Sequence, residues 1–279
     1  MRTIPASQIT TAVKQLCIQA NLYLPKDIQT QIVDFAARDT NPLAQDILNQ
    51  LVQNYTLAEQ NQVPICQDTG MACVFLEIGQ EVYIDGNINE AVDEGVRQGY
   101  AEGYLRKSVV ADPLERINTK DNTPAMLYTE FMPGDALTIT VAPKGFGSEN
   151  MSQIKMLTPA AGQQGVIDFV LQTVKEAGPN PCPPMVVGVG IGGTFDKAAL
   201  LAKKALLRPT TQPNPKPLYA QMEQDLLQKI NGLNIGPQGY GGDTTALAVA
   251  IETMPTHIAG LPCAVNISCH VTRHASQTI

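Results

Sequence analysis

Pro64-Ile65-Cys66-Gln67-Asp68-Thr69-Gly70-Met71-Ala72-Cys73-Val74-Phe75-Leu76-Glu77-Ile78 is where this chain changes character. Upstream the apolar residues recur at helical spacing. Ile9, Val13, Leu16 and Ala20 form one face, and Ile28, Ile32, Phe35 and Ala36 form a second behind Pro25. Asn41-Pro42 then caps a third helix carrying Leu43, Ile47, Leu48, Leu51 and Val52. From residue 72 onward strand-like and helix-like runs interleave. Strands are expected over 72–78, 125–131, 136–142, 185–191, 246–252 and 261–268. Helices are expected near 88–104, 163–177, 195–206 and 218–233. Pro133-Gly134-Asp135 reads as a hairpin turn joining two of these strands. The expected fold class is mixed α/β (α+β): a helical segment, residues 1–60, followed by mixed sheets flanked by helices, in one domain spanning 1–279.

The 279 residues are 44% apolar and 16% charged, a globular composition. The net charge of −7 argues against nucleic acid as a partner, because phosphate binding needs an excess of Lys and Arg. An anionic small substrate requires only a local gathering of positive charge. No leader-like segment opens the chain and no apolar run is long enough to span a bilayer, so a cytoplasmic location with reduced thiols is expected.

Six cysteines divide by context. Cys17 sits on a helix face, and Cys73 and Cys263 lie in or beside strands, as core residues do. Cys66, Cys182 and Cys269 lie in loops or at strand ends beside Pro, Gly or polar residues. Three loop thiols from distant parts of one chain suit an iron–sulfur cluster that keeps one iron open for chemistry. A carboxylate next to such a thiol, as Asp68 is to the Cys66 loop, can move a proton at what the metal polarises.

Other readings compete. His257, His270 and His274 with Cys269 could form a zinc site, the i, i+4 spacing of His270 and His274 serving on a helix, against ordinary hydrogen-bonded histidines at a polar chain end. Gly188-Val189-Gly190-Ile191-Gly192-Gly193 fits the dinucleotide pattern. The region about twenty residues on, Thr210 to Pro215, offers neither acid nor strand, so a close strand-to-helix turn near a ligand is preferred. The glycines of residues 144–150 would let backbone amides approach a carboxylate. Arg106 could grip a carboxylate with two hydrogen bonds, or merely end a helix. His257, after Pro255 in a turn, could orient a loop or transfer a proton.

Five ordered segments carry a resemblance: Ile65-Cys66-Gln67-Asp68-Thr69-Gly70; Lys144-Gly145-Phe146-Gly147-Ser148-Glu149-Asn150; Val187 to Thr194; Ile235-Gly236-Pro237-Gln238-Gly239; and Asn266-Ile267-Ser268-Cys269-His270. Over nearly its whole length the chain resembles the iron–sulfur (class I) fumarate hydratase family, in particular its α subunits. The sibling function is L-tartrate dehydratase. The resemblance implies reversible hydration of fumarate to L-malate on a [4Fe–4S] cluster held by Cys66, Cys182 and Cys269. It implies Asp68 as the proton-transfer group, and Gln67, Asp68, Arg106, Gly145, Gly147 and His257 as contacts for a small dicarboxylate. It also implies a β subunit that completes the site, in an α2β2 assembly, because single-chain relatives continue where this sequence stops. Phe146 stands where relatives often have another glycine, which would reshape the pocket. Outside this family, a zinc protein, a dinucleotide-binding protein or a non-catalytic scaffold subunit are the alternatives.

Overall fold

A computed structural model describes all residues, Met1–Ile279. The chain forms two compact units. One contains Met1–Pro25, Tyr55–Phe146 and Arg273–Ile279; the other contains Lys26–Asn54 and Gly147–Thr272. The mixed α/β class expected from the sequence is what is found. The helical N-terminal segment is shared between the units: helix α1 (Ala6–Leu22) belongs to the first, α2 (Lys26–Arg38) to the second, and α3 (Pro42–Asn61) runs across the boundary.

In the first unit, strand β2 (Met71–Gly79) is central in the order β10-β5-β2-β4. It pairs in parallel with β4 (Met126–Met132) and antiparallel with β5 (Leu137–Lys144). Strand β10 (Ala275–Thr278) adds to β5. Strands β1 (Arg2–Pro5) and β3 (Val82–Asp85) form a separate parallel pair. Helix α4 (Ile88–Glu102) starts where the Asn87 side chain accepts the backbone N–H groups of Asn89 and Glu90. It packs closely on α1: a Cβ on Gly95 or Gly99 would stand 2.7 Å from Val13 Cβ or 2.8 Å from Cys17 Cβ. The α1 face Ile9, Val13, Leu16 and Ala20 joins Val74, Leu76, Leu137, Ile139 and Tyr100 in one core.

The expected hairpin is not formed. Strands β4 and β5 flank β2 on opposite sides and never pair with each other. The Pro133–Asp135 turn instead wraps the end of β2. The N–H of Gly79 donates to Ala136 O, that of Gln80 to Met132 O, and that of Glu81 to Gly134 O. A Cβ on Gly79 would be 2.4 Å from Gly134 O, so only glycine lets the turn pass there. The Pro-Gly-Asp residues do make a turn; a third strand inserts between its arms.

The second unit has the order β6-β9-β7-β8. Strand β7 (Met185–Gly193) pairs in parallel with β8 (Ala246–Thr256) and antiparallel with β9 (Leu261–Ser268); β6 (Gln153–Leu157) edges β9. Val187, Val189 and Ile191 face a core that includes residues of α6 (Gly162–Ala177) and α8 (Pro217–Asn231). On the other face Gly188 and Gly190 lie under α7 (Phe195–Ala205). Cβ atoms there would sit 2.1 Å from Ala202 O and 2.1 Å from Ala198 O. These glycines therefore lie within the strand and exist for helix–strand packing, not for a turn beside a phosphate. At the start of α7 the Thr194 hydroxyl donates to Asp196, whose carboxylate already occupies the helix N-terminus and is held below its usual range by that bond. The dinucleotide alternative thus loses its phosphate loop. No helix is long and apolar enough to cross a membrane.

A Gly190→Ala substitution must push α7 off the strand, because the obstructing atom is backbone. The expected loss is about 3 kcal/mol, read as a lower urea midpoint at unchanged far-UV circular dichroism.

Candidate functional site

The Cys66–Gly70 loop is held on all sides by the first unit. Gly70, at φ +73, presses on the end of β5; a Cβ would meet Lys144 N at 2.7 Å. The Tyr100 hydroxyl, fully buried on α4, donates to Thr69 O at 2.8 Å and Gly70 O at 3.1 Å. Burial pushes that hydroxyl well above its ordinary pKa, so it remains a donor. The Asn122 amide, also fully buried, adds a third bond, to Gly70 O. Thr69 ties the loop to Arg106: its hydroxyl donates to Arg106 O and accepts the Arg106 N–H at 2.9 Å. Arg106 lies in the coil beyond α4, with its backbone fixed and its side chain exposed.

Asp68 is oriented by two backbone donors. Gly70 N–H reaches Oδ1 at 3.0 Å and Phe146 N–H reaches Oδ2 at 3.1 Å. Gly145 is glycine for a reason visible here, since its Cβ would lie 3.0 Å from Asp68 Oδ2. Arg273, 5% exposed, donates from its terminal nitrogen to Asp68 O, while its Nε finds no partner. Lys144 is buried as well, at 7% exposure. Two buried cationic side chains thus accompany one half-buried carboxylate in this unit, which favours an anionic ligand. Gln67 is exposed on the same loop; its amide oxygen lies 3.4 Å from the Cys66 sulfur.

In the second unit Cys182 sits exposed in a turn at φ +52, left-handed backbone that a non-glycine side chain resists. Its N–H donates to Pro179 O. Its carbonyl accepts the His270 N–H at 3.4 Å and lies 3.0 Å from His270 Nδ1. The Cys182 turn and the Cys269-His270 segment are therefore joined. Cys269 is half-buried, and its carbonyl accepts the Thr272 hydroxyl at 2.8 Å. Gly147 is exposed, and a Cβ added there would meet only Asn180 O, at an ordinary 3.7 Å, so its own surroundings do not demand glycine. Glu149 anchors that stretch, paired with Lys203 at 2.6 Å and accepting the Asn266 amide at 3.0 Å. His257 lies exposed after β8, and its Nδ1 accepts the Ala259 N–H at 3.2 Å, so the neutral ring carries its proton on Nε2.

The division of the thiols by context agrees with their exposure. Cys17, Cys73 and Cys263 are buried, and burial pushes Cys17 and Cys263 up to about 12. Cys66, Cys182 and Cys269 are the ones that reach the surface. Iron–sulfur ligation uses sulfurs that an inorganic cluster can reach, and these three lie outside the core. Thiols in such loops are the donor type that iron–sulfur ligation uses; Cys66 is on the first unit, Cys182 and Cys269 on the second. Within neither unit does a group of three or more His, Cys, Asp or Glu side chains stand where it could hold a single metal ion. A cavity of about 560 Å³ in the second unit, lined by residues including Phe35, Arg208, Thr210 and Leu247, contains none of the expected site residues. Sequence reading missed Tyr100, Asn122 and Arg273. Tyr100 alone carried a signal, a polar-tipped side chain on a helix face that reads as core; Asn122 and Arg273 stand among polar neighbours and carried none.

Residues 10–278 match the model of the fumarate hydratase (Fumerase) family. A Methanocaldococcus jannaschii protein, named provisionally as an L(+)-tartrate dehydratase subunit alpha, is 42% identical over 279 residues, covering 98% of each chain. The Escherichia coli K12 and Shigella sonnei proteins named L(+)-tartrate dehydratase subunit alpha are each 28% identical over 277 residues, covering 98% of this chain and 91% of theirs.

The buried thiols set a pH limit. Their folded pKa values, about 12, lie above the ordinary value of 9.0. The unfolded chain therefore loses protons first, and stability must fall as pH rises from 9 toward 12 while staying unaffected by these groups below 9. Urea midpoints across that window should decline in the native chain and decline less steeply in Cys17→Ala.

Proposed function

This chain belongs to the fumarate hydratase (Fumerase) family, and from that membership we propose that it is the α subunit of an iron–sulfur hydro-lyase that reversibly hydrates fumarate to L-malate. The observation that carries the reading is the Asp68 carboxylate, clamped by two backbone N–H groups two residues from a surface thiol, with buried Arg273 on its carbonyl. Cys66, Cys182 and Cys269 would hold a [4Fe–4S] cluster, which when bound supplies a Lewis acid for the departing hydroxyl.

Dehydration of malate removes a proton from one carbon and hydroxide from its neighbour, leaving the double bond of fumarate. Asp68 takes that proton. Two of its lone-pair positions are filled by Gly70 N–H and Phe146 N–H, which aim the carboxylate and leave others for the substrate. Arg106, whose backbone is pinned to Thr69, binds a substrate carboxylate through a side chain that reaches solvent. Gln67 and the backbones of Gly145 and Gly147 contribute further polar contacts. His257 offers its Nε2–H. A β subunit supplies the remaining cationic groups; the subunit-alpha names of the relatives support such a partner, and α2β2 is the proposed assembly.

The relatives' names favour a second reading, dehydration of L-tartrate, which differs from malate by one hydroxyl. The Arg106 segment and the Gly147-Ser148-Glu149-Asn150 sequence resemble fumarases more closely, which supports the fumarate choice. Anaerobic assembly of α with its β partner, followed by rates on L-malate, fumarate, L-tartrate and mesaconate, tests both. A tartrate rate above the malate rate would reverse the substrate assignment, and full activity from α alone would remove the need for β. Replacing Asp68 by Asn should leave iron and sulfide content unchanged and slow turnover by about 10²–10⁴-fold; an unaltered rate would remove Asp68 from proton transfer.

A further inference from the structure

The Ile235-Gly236-Pro237-Gln238-Gly239 segment has no part in the chemistry described so far, yet it is built under constraint. Gly236, at φ +71, faces the Gly241 carbonyl so closely that a Cβ would lie 1.9 Å from its oxygen. Gly239, at φ +82, packs on Pro179, with 2.4 Å left for a Cβ. Between them Gln238 adopts φ +53, a left-handed backbone that glutamine resists. Gly236 thus folds the loop onto itself at Gly241, Gly239 presses it onto Pro179, and the residue between them is a non-glycine held in an unfavourable conformation.

What this conformation achieves is visible in its hydrogen bonds. The Gln238 backbone N–H donates to Pro183 O at 2.8 Å, and its side-chain Nε2 donates to the same oxygen at 2.7 Å. Nε2 also lies 3.2 Å from His270 Nδ1, which in turn lies 3.0 Å from Cys182 O. Whichever tautomer the ring adopts, it is tied to one of these two partners. With Nδ1 unprotonated, one glutamine joins the residue after Cys182 to the residue after Cys269. The far side of the loop is fixed as well: buried Asp39 accepts the Asp243 N–H at 3.1 Å and the Thr244 hydroxyl at 2.6 Å.

Resting on the reading of Cys182 and Cys269 as cluster ligands, we infer that Gln238 is a positioning residue that presets these two thiols in the second unit before metal arrives. Two sulfurs held at a fixed spacing take up and keep iron more firmly than two on independent loops, because the ordering is done beforehand. Gln238 touches neither substrate nor metal in this role.

The test uses the full chain as Gln238→Ala, with Gln238→Glu as a variant that keeps length and exchanges the donor for an acceptor. Exposed Gln221→Ala on α8 is the control. In metal-free protein, amide exchange at Cys182 and His270 should quicken about tenfold or more in both Gln238 variants, with exchange in β7 and α8 as in the native chain. After anaerobic reconstitution, both should release iron several-fold faster to a chelator, and the control should match native. Native-like exchange in Gln238→Ala would overturn the clamp. Altered exchange with native iron retention, or native retention restored by Glu, would overturn its role toward the thiols. Failure of the native chain itself to take up iron and sulfide would instead defeat the cluster reading, a separate result from the metal-free exchange.

Discussion

A buried carbonyl must find a donor, and the Cys66–Gly70 loop satisfies that demand with residues from three distant parts of one unit. Thr69 O and Gly70 O receive Tyr100 and Asn122, and Asp68 O receives Arg273. Leaving any of these carbonyls unpaired would cost on the order of 1–3 kcal/mol. The loop therefore has one low-energy path, and the direction of the Asp68 carboxylate follows from it. The side chains that hold the backbone are distinct from those that would meet a substrate, so rigidity and chemistry are separately adjustable.

The two units repeat one strand plan, which the sequence alone does not disclose. In each, a cysteine-bearing turn leads into the central strand, β2 after Cys66 and β7 after Cys182. The chain then forms a parallel neighbour, β4 or β8, and crosses to the far side as an antiparallel one, β5 or β9. A further short strand, β10 or β6, closes the order. The ends of β5 and β9 then deliver the glycine-rich Lys144–Gly145 corner and Cys269 respectively. Similar connectivity thus places a thiol ahead of each central strand.

Long, strongly patterned elements are legible in residue spacing, and so is the division of the cysteines. Continuous apolar runs mark β7 and β9, and Pro or Gly beside Cys66, Cys182 and Cys269 marks them as loop thiols, which their exposure bears out. What escapes has physical causes. Strands β1, β3 and β10 are four residues long and half or more exposed, so they carry no alternating signal. The 133–135 turn is right in its chemistry and wrong in its pairing, because local sequence cannot report a strand that inserts from much earlier in the chain. Tyr100 has helical spacing and reads as core; its hydroxyl's task depends on a loop 31 residues away. The interleaving of segments between the units is likewise a long-range property, invisible to any window along the chain.

The bare face of β7 carries a consequence for how this protein can vary. Gly188 and Gly190 bring a helix backbone against a strand backbone with no side chain between them. Such a seam has no apolar volume to exchange, so compensating pairs of larger and smaller residues, the ordinary route of core drift, are closed to it. Divergence must then accumulate around this seam and leave it intact, as a fixed ruler against which the surrounding loops are free to change length and composition.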